Sequence, residues 1–212
     1  MEKDAKNLIA PAAVKVNPNN MKIGDKYIKT LFVFAYPRTL VSGWLNPIIN
    51  VPELLDISIF MHPVDTSVAL KNLMKKAARL EAELIEHQEK GLVRDPQLET
   101  AYKDVDMLRD ALQQAREKLF NVGLYVTIYA DSVEALNKLE AKITAMFENQ
   151  LVYVKNAIFQ ENEGFTATLP LGNDELYINK PMNSGPLSSF FPFISTDLTS
   201  DKGIMYGLNR HN

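Results

Sequence analysis

The chain of 212 residues contains no cysteine. This absence excludes disulfides, cysteine-based zinc sites and thiol catalysis, and it suits a reducing compartment. Long apolar runs are missing too, since the longest, LFVFAY, falls far short of the roughly 20 residues that cross a bilayer. The opening MEKDAKNLIAP has acidic residues and no sustained apolar stretch, unlike a signal peptide. We therefore expect a cytoplasmic protein with no transmembrane segment, which touches a membrane only through a partner.

The chain also has no excess of basic residues. It contains 23 Lys and Arg residues and 26 Asp and Glu residues, which gives a net charge of -3. Nucleic acids attract basic surfaces, so no direct contact with nucleic acid is expected. Phe32, Phe34, Tyr125 and Tyr129 on predicted strands resemble the stacking platform of an RNA-binding sheet. The signature motif of such a sheet is missing, which favours a packing role for these aromatics.

Catalytic motifs are absent as well. His62, His87 and His211 are scattered without metal-ligand spacing, so no metal site is expected. Asp56, Ser58 and His62 share one face of a predicted strand, but they lie too far apart along it to form a catalytic triad. No G-x-x-x-x-G-K-[ST] loop or G-x-S-x-G elbow occurs. We expect no catalytic and no cofactor-binding residue in this chain.

The segments that are present predict an α+β fold. Alternating or dense apolar residues predict four strands, YIKTLFVFAY, LDISIFMH, FNVGLYVTIYAD and LVYV. A short irregular helix capped by Thr39 follows the first strand, and a helix with a capping box of Asp131 and Glu134 follows the third. The order strand, helix, strand, strand, helix, strand is that of a ferredoxin-like split βαβ sandwich over residues 27–158.

Two long helices, 66–89 and 96–118, interrupt this order between the second and third strands. Leucines and alanines at three- and four-residue steps give each helix a narrow coiled-coil seam. Gly91, Asp95 and Pro96 between them favour an antiparallel hairpin, about 35 Å long and protruding from the body. Lysines and an arginine near its base and glutamates toward its tip fit either a solvated helix face or a polarised docking arm.

The remaining segments contain few periodic signals. Residues 1–26 hold prolines, asparagines and a glycine around short apolar pieces, which predicts an extended N-terminal arm. Residues 159–212 alternate Pro, Gly and Ser with short apolar runs and are interpreted as a linker. The closing GIMYGLNRHN has the pattern of a short strand that turns on glycine and is then cut off.

Four segments follow one another along the chain: LIAPAAVKVNPNNMKIGDKYIKTLFVFAYPRTLVSGWLNPIIN, DISIFMHPVD, ATLPLG and FFPFISTDLTSDKGIMYGLNRHN. In their order and spacing they resemble the N-terminal region of the TraC-like, VirB-type conjugal transfer ATPases of type IV secretion systems. The most specific matching positions are Tyr36, Pro37, Arg38, Gly43, Trp44 and Leu45 in the first segment, and Phe191, Pro192, Phe193, Gly203, Tyr206, Gly207 and Asn209 in the last.

The resemblance implies a function in conjugation and DNA transfer. In that family such a tail leads into a RecA-like motor that binds ATP and magnesium, so residues 159–212 are expected to lead into an ATPase domain missing from this chain. Gene breakage, an incomplete read or a deliberate truncation would each explain this. The implied partners are inner-membrane secretion-channel proteins, the chain's own ATPase domain and a homo-oligomer of the full-length protein.

The expected function is therefore a non-catalytic domain that docks the motor to the secretion channel. We expect this chain by itself to be monomeric, or weakly self-associating through residues 204–208. Two alternatives stay open: a free-standing ferredoxin-like module that binds nucleic acid or a small ligand, and an enzyme with an unrecognised site.

Overall fold

The computed structural model describes residues 13–91, 93 and 95–192. Within these residues the fold is mixed α+β, with a seven-stranded antiparallel sheet and six α-helices. The strands are β1 (Val14–Asn17), β2 (Asn20–Ile23), β3 (Lys26–Ala35), β4 (Leu55–Pro63), β5 (Leu119–Ala130), β6 (Tyr153–Asn156) and β7 (Lys180–Asn183). The helices are α1 (Asn46–Ile49), α2 (Thr66–Glu89), α3 (Pro96–Gln113), α4 (Val133–Glu148), α5 (Glu161–Thr168) and α6 (Ser184–Leu187), followed by a 3₁₀ turn at Ser188–Phe190.

The sheet has the strand order β1-β2-β3-β5-β4. β6 also pairs with β3, and β7 with β5, so β3 and β5 are the two central strands. Residues Tyr27–Phe32 of β3 lie opposite Ala130–Tyr125 of β5, while β4 runs along the other edge of β5. The four strands predicted from the sequence correspond to β3, β4, β5 and β6.

The main core lies between the sheet and α4. Leu136, Ile143 and Phe147 of α4 are fully buried against apolar side chains of β3 and β5, such as Leu31 and Val126. Burying each such side chain contributes about 1.5 to 3 kcal/mol. The helix begins where Ser132 caps it by accepting the Ala135 N–H at 3.1 Å, one residue after the Asp131 cap that the sequence predicted.

The two long helices α2 and α3 pack mainly against each other. Asp65 and Asp95 cap them, each carboxylate accepting backbone N–H groups of the first turn. α2 has its predicted bounds, but α3 ends at Gln113 and not at residue 118. Ala115 takes a left-handed backbone with φ of 54°, which is incompatible with helix and turns the chain toward β5.

Residues 14–23 differ from the prediction of an extended arm. They form the hairpin β1–β2, closed by the two-residue turn Pro18-Asn19, and β2 adds to β3. A strand of four residues is too short to show a recognisable alternation of apolar and polar residues. Pairing of the hairpin with the long strand β3 determines its conformation. The strands β1 and β2 are therefore part of the sheet.

Residues 159–190 also differ from the predicted linker, because α5 and β7 pack on and pair with the central strands. α5 crosses the sheet at Gly164, where a Cβ atom would lie 2.7 Å from Cβ of Thr30. Glycine is required at this close approach. The predicted helix at Thr39 is reduced to α1, whose cap position Leu45 makes no side-chain capping bond.

Candidate functional site

Two segments that are distant in sequence meet in one aromatic cluster, defined by Tyr36, Trp44 and Phe190. The Trp44 ring centroid lies 5.1 Å from that of Phe190 and 6.2 Å from that of Tyr36. Tyr36 and Phe190 lie 5.6 Å apart. Trp44 is 2% exposed and belongs to the main core. The cluster joins the end of β3 to the last described turn of the chain.

Arg38 connects this region to the helical pair. One guanidinium nitrogen donates to both carboxylate oxygens of Asp104 on α3, each at 2.8 Å. Both side chains are largely exposed, so the ion pair contributes at most about 1 kcal/mol. It nevertheless joins α3 to the segment that carries the aromatic cluster.

A second connection lies at the base of α3. Glu117 accepts hydrogen bonds from the Ser184 hydroxyl and from the Gly185 N–H, the latter at 3.0 Å. Beside it a cleft of about 350 Å³ separates α3 from the end of β7. The cleft is lined by Asp104, Met107, Leu108, Ala111, Glu117 and Asn183. Its lining contains no histidine or serine that could act with the carboxylates as a nucleophile or base.

The other positions that carry the sequence resemblance differ in burial and in backbone conformation. Pro37 is half-buried, and Gly43 has a φ of 82°, a left-handed conformation that glycine adopts readily. Phe191 is exposed and Pro192 is half-buried. The remaining predicted positions, Phe193, Gly203, Tyr206, Gly207 and Asn209, lie outside the described residues.

The outer surface of the helical pair combines apolar and basic side chains. Exposed apolar residues on it are Val68, Met74, Ile85 and Met107. Lys71, Lys75 and Lys76 near the base of α2 are exposed and have no ion-pair partner among the residues that the structure describes. At the opposite end a cavity of about 640 Å³ is lined by residues of both helices, among them Leu84, His87 and Tyr102. His87 thus lies in the last turn of α2, beside the start of α3.

A polar cluster, defined by Asp174, Tyr125, His62 and Asn179, lies on the sheet face opposite α4, with Asp174 and Tyr125 buried. The carboxylate of Asp174 accepts the Tyr125 hydroxyl at 2.7 Å, His62 Nε2 at 3.2 Å and Asn179 Nδ2 at 3.3 Å, together with the Tyr177 N–H at 3.0 Å. Burial raises the pKa of Asp174, but these hydrogen bonds outweigh it and hold the pKa below its usual value.

This polar cluster attaches residues 174–179 to the sheet. Burial, and then the bond to Asp174, raise the pKa of Tyr125, so the tyrosine keeps its proton and donates it to the carboxylate. His62 is about half-exposed, with Phe60 stacked on its ring. A paired His and Asp could serve as a base, but no serine, threonine or lysine forms a hydrogen bond with His62 in the described part of the chain. We interpret the cluster as a structural tie.

Glu161, at the start of α5, is a buried acid on the same face of the sheet. Its Oε2 accepts the Thr30 N–H at 3.1 Å, and its Oε1 is buried without a partner. Burial raises the pKa of Glu161 to about 7, against the lowering effects of the Thr30 bond and of Lys29. Lys29 itself points to the other face, where its ammonium bonds Glu140 at 2.5 Å and Asn137 at 3.2 Å.

Asp174 and Glu161 were missed by reasoning from the sequence. The stretch GNDELYINK, which contains Asp174, has none of the motifs that predict a functional site. Asp174 is 112 residues away from His62 along the chain, and no local spacing signals such a contact. An asparagine and aspartate beside a glycine suggest a turn, but not a buried carboxylate.

No group of three or more histidines or acidic residues suited to a metal ion occurs in the described ranges. Likewise, no helix within those ranges has both the length and the apolar character needed to cross a bilayer. No protein-family model and no curated protein matches the chain.

Proposed function

We propose that this chain is the non-catalytic N-terminal domain of a type IV secretion, or conjugal DNA transfer, ATPase, and that it docks the motor to the secretion channel through the α2–α3 pair. The proposal rests on the sequence resemblance and on one structural observation. The two helices pack mainly against each other and leave apolar and basic side chains exposed along their outer surface. The proposed partner is a cytoplasmic part of an inner-membrane channel protein.

We further propose that the domain has a ferredoxin-like core with an inserted coiled-coil hairpin. In support, β6, β3, β5 and β4 lie side by side in this order, all antiparallel, with α4 joining β5 to β6 across one face. Short α1 stands where the first helix of that fold would lie. The hairpin occupies the connection between β4 and β5, which the fold closes with a tight turn.

The attachment of the helical pair supports a docking role. A partner that binds α2 and α3 meets an element connected to the core by Arg38–Asp104 and by Glu117–Ser184. The first connection leads to the segment of the aromatic cluster. The second leads to α6, shortly before the end of the described residues. This arrangement would transmit the position of the arm to whatever follows residue 192.

The test is a binding measurement with the cytoplasmic segments of channel proteins encoded beside this gene. Residues 66–113 are replaced by a short Gly-Ser linker, and binding is compared with that of the intact chain. We expect the intact chain to bind one channel protein and the shortened chain to lose that binding. Because β4 and β5 pair directly, the remaining sheet should keep its fold, which circular dichroism can check.

Three matched point variants sharpen this test. Met74→Lys and Ile85→Lys alter exposed apolar residues of α2, whereas Leu151→Lys alters an equally exposed residue outside the helical pair. Binding should fall for the first two variants and remain unchanged for the third. Undiminished binding after removal of the helical pair would contradict the proposal, as would the absence of binding to every channel protein.

A further inference from the structure

The strand β4 forms a long free edge of the sheet. It spans nine residues, LDISIFMHP, and pairs only with β5 among the described strands. Natural edge strands are usually short, or they carry lysine, proline or a bulge that blocks pairing with other chains. β4 contains no lysine or arginine, and its one proline is the last residue. Within the residues that the structure describes, this edge therefore lacks these protecting features.

The backbone of β4 turns a regular set of hydrogen-bonding groups outward. On the β5 side, the Tyr129 N–H donates to the Leu54 carbonyl, and the Val64 N–H donates to the Leu119 carbonyl. Antiparallel strands alternate their backbone groups between their two edges. The even-numbered residues of β4 therefore bond β5, and Leu55, Ile57, Ile59 and Met61 present their N–H and C=O groups to the outside.

The sequence of this edge is self-complementary about Ile59. When two β4 strands lie antiparallel with the two Ile59 residues opposite each other, Ile57 of each copy faces Met61 of the other. On the other face of the sheet, Asp56 faces His62. Apolar thus meets apolar on one face, and a carboxylate meets an imidazole on the other, a pairing that stabilises antiparallel strands.

The atoms needed for the polar contact remain free. Asp56 accepts the Tyr129 hydroxyl through Oδ2, and His62 contacts Asp174 through Nε2. Asp56 Oδ1 and His62 Nδ1 have no hydrogen-bond partner among the described residues, so each can meet its counterpart in a second copy.

We propose that the chain forms a symmetric dimer in which the β4 edges of two copies pair antiparallel, centred on Ile59. Such an interface is isologous, because the same strand serves both copies and the assembly closes at two. The two sheets then form one continuous sheet, which removes the exposed edge of β4 from both. A dimer through β4 differs from the sequence-based expectation of a monomer that at most self-associates through residues 204–208, and it does not involve the proposed docking surface of α2 and α3.

The register can be tested with single cysteines because the natural chain has none. In the proposed pairing, the Cβ atoms of the two residues 59 lie about 5 Å apart, within reach of a disulfide. Residue 61 of one copy is offset by four positions along the strand from residue 61 of the other copy, so the two lie roughly 13 Å apart. Under mild oxidation Ile59→Cys should give a covalent dimer and Met61→Cys should not. A mixture of Ile57→Cys and Met61→Cys chains should cross-link as heterodimers.

The second arm of the experiment measures self-association of the intact chain by sedimentation equilibrium. Met61→Lys places a charge on the proposed interface and should weaken dimerisation roughly tenfold or more. Met107→Lys, on an exposed methionine of α3, is the matched control and should leave it unchanged. A chain that stays monomeric at every concentration tested would overturn the proposal. This holds also if the reason is that its own residues 193–212 cover β4. Equal cross-linking at residues 59 and 61, or equal effects of the two lysine variants, would overturn it as well.

Discussion

Trp44 is the residue on which the aromatic cluster depends. It contacts Tyr36, Phe147 and Phe190 and is almost fully buried. Trp44→Ala leaves a large cavity, so we expect the free energy of unfolding to fall by about 3 to 5 kcal/mol. Trp44→Phe should cost less, because it keeps much of the packing and removes an indole N–H that is buried without a partner.

Urea denaturation measures both changes. Phe159→Ala is the control, because the Phe159 side chain is 80% exposed and its removal should change stability by less than about 0.5 kcal/mol. Equal losses for Trp44→Ala and Phe159→Ala would show that the cluster does not stabilise the fold.

Glu161 should make stability depend on pH. Its pKa is about 7 in the folded protein and near 4.5 in the unfolded chain, so the folded state binds the proton more tightly. Between these values the unfolded chain releases a proton that the folded chain retains, and stability falls as the pH rises. The loss amounts to about 3 kcal/mol and is complete above pH 7.

Glu161→Gln isolates this effect, since glutamine can still accept the Thr30 N–H and carries no titrating proton. We expect the variant to lose the decline in stability between about pH 5 and 7 and to be more stable than the natural chain at pH 8. Unfolding free energies at four pH values measure this. Parallel pH profiles for the two chains would contradict the assignment.

At the scale of elements, α2 and α3 should unfold as a unit before the sheet. Val105 and Leu112 are buried between them, and Leu108 is half-buried beside them. Leu108→Asp, and more strongly Val105→Asp, put a carboxylate into this packing and should remove roughly 3 kcal/mol of local stability. Hydrogen exchange should then accelerate in both helices while β3 and β5 stay protected.

Met107→Asp is the control for this experiment, because Met107 is exposed and its replacement should leave exchange in α2 and α3 nearly unchanged. Simultaneous loss of protection in the helices and in β5 would mean that the helical pair and the sheet form one cooperative unit.

The elements that the sequence predicts well are those with strong periodicity. α2 begins and ends at its predicted residues, and β3, β4 and β5 lie within about one residue of theirs. Alternating or three-four patterns over eight or more residues carry enough signal to fix them. β1, β2, α5 and β7 were not predicted, because they are short and take their conformation from pairing with or packing on central strands.

The site was predicted only where local sequence specifies it. The short helix after β3 was expected from the sequence, but the contact of the nearby Trp44 with Phe190 joins residues far apart in the chain. The contact between His62 and Asp174 likewise joins residues far apart in the chain, and so does the contact of the buried Glu161 with Thr30. Such contacts depend on strand order and helix placement, which no single stretch of sequence encodes.

At the scale of the whole molecule, we predict that residues 1–212 neither bind nor hydrolyse ATP. Hydrolysis by a motor of this type needs a glycine-rich phosphate loop with a lysine and a hydroxyl residue, and the chain has no such loop. Nucleotide binding and turnover of this chain are compared with those of a version extended through the downstream reading frame. Turnover by the shorter chain would contradict the proposed non-catalytic role.

The most direct test of the docking role is hydrogen exchange of the intact chain with and without the channel protein that it binds. We predict new protection on Thr66–Glu89 and Pro96–Gln113, and little change in the central strands β3 and β5. Protection confined to the sheet, or no protection at saturating partner, would contradict the claim that the helical pair is the docking element.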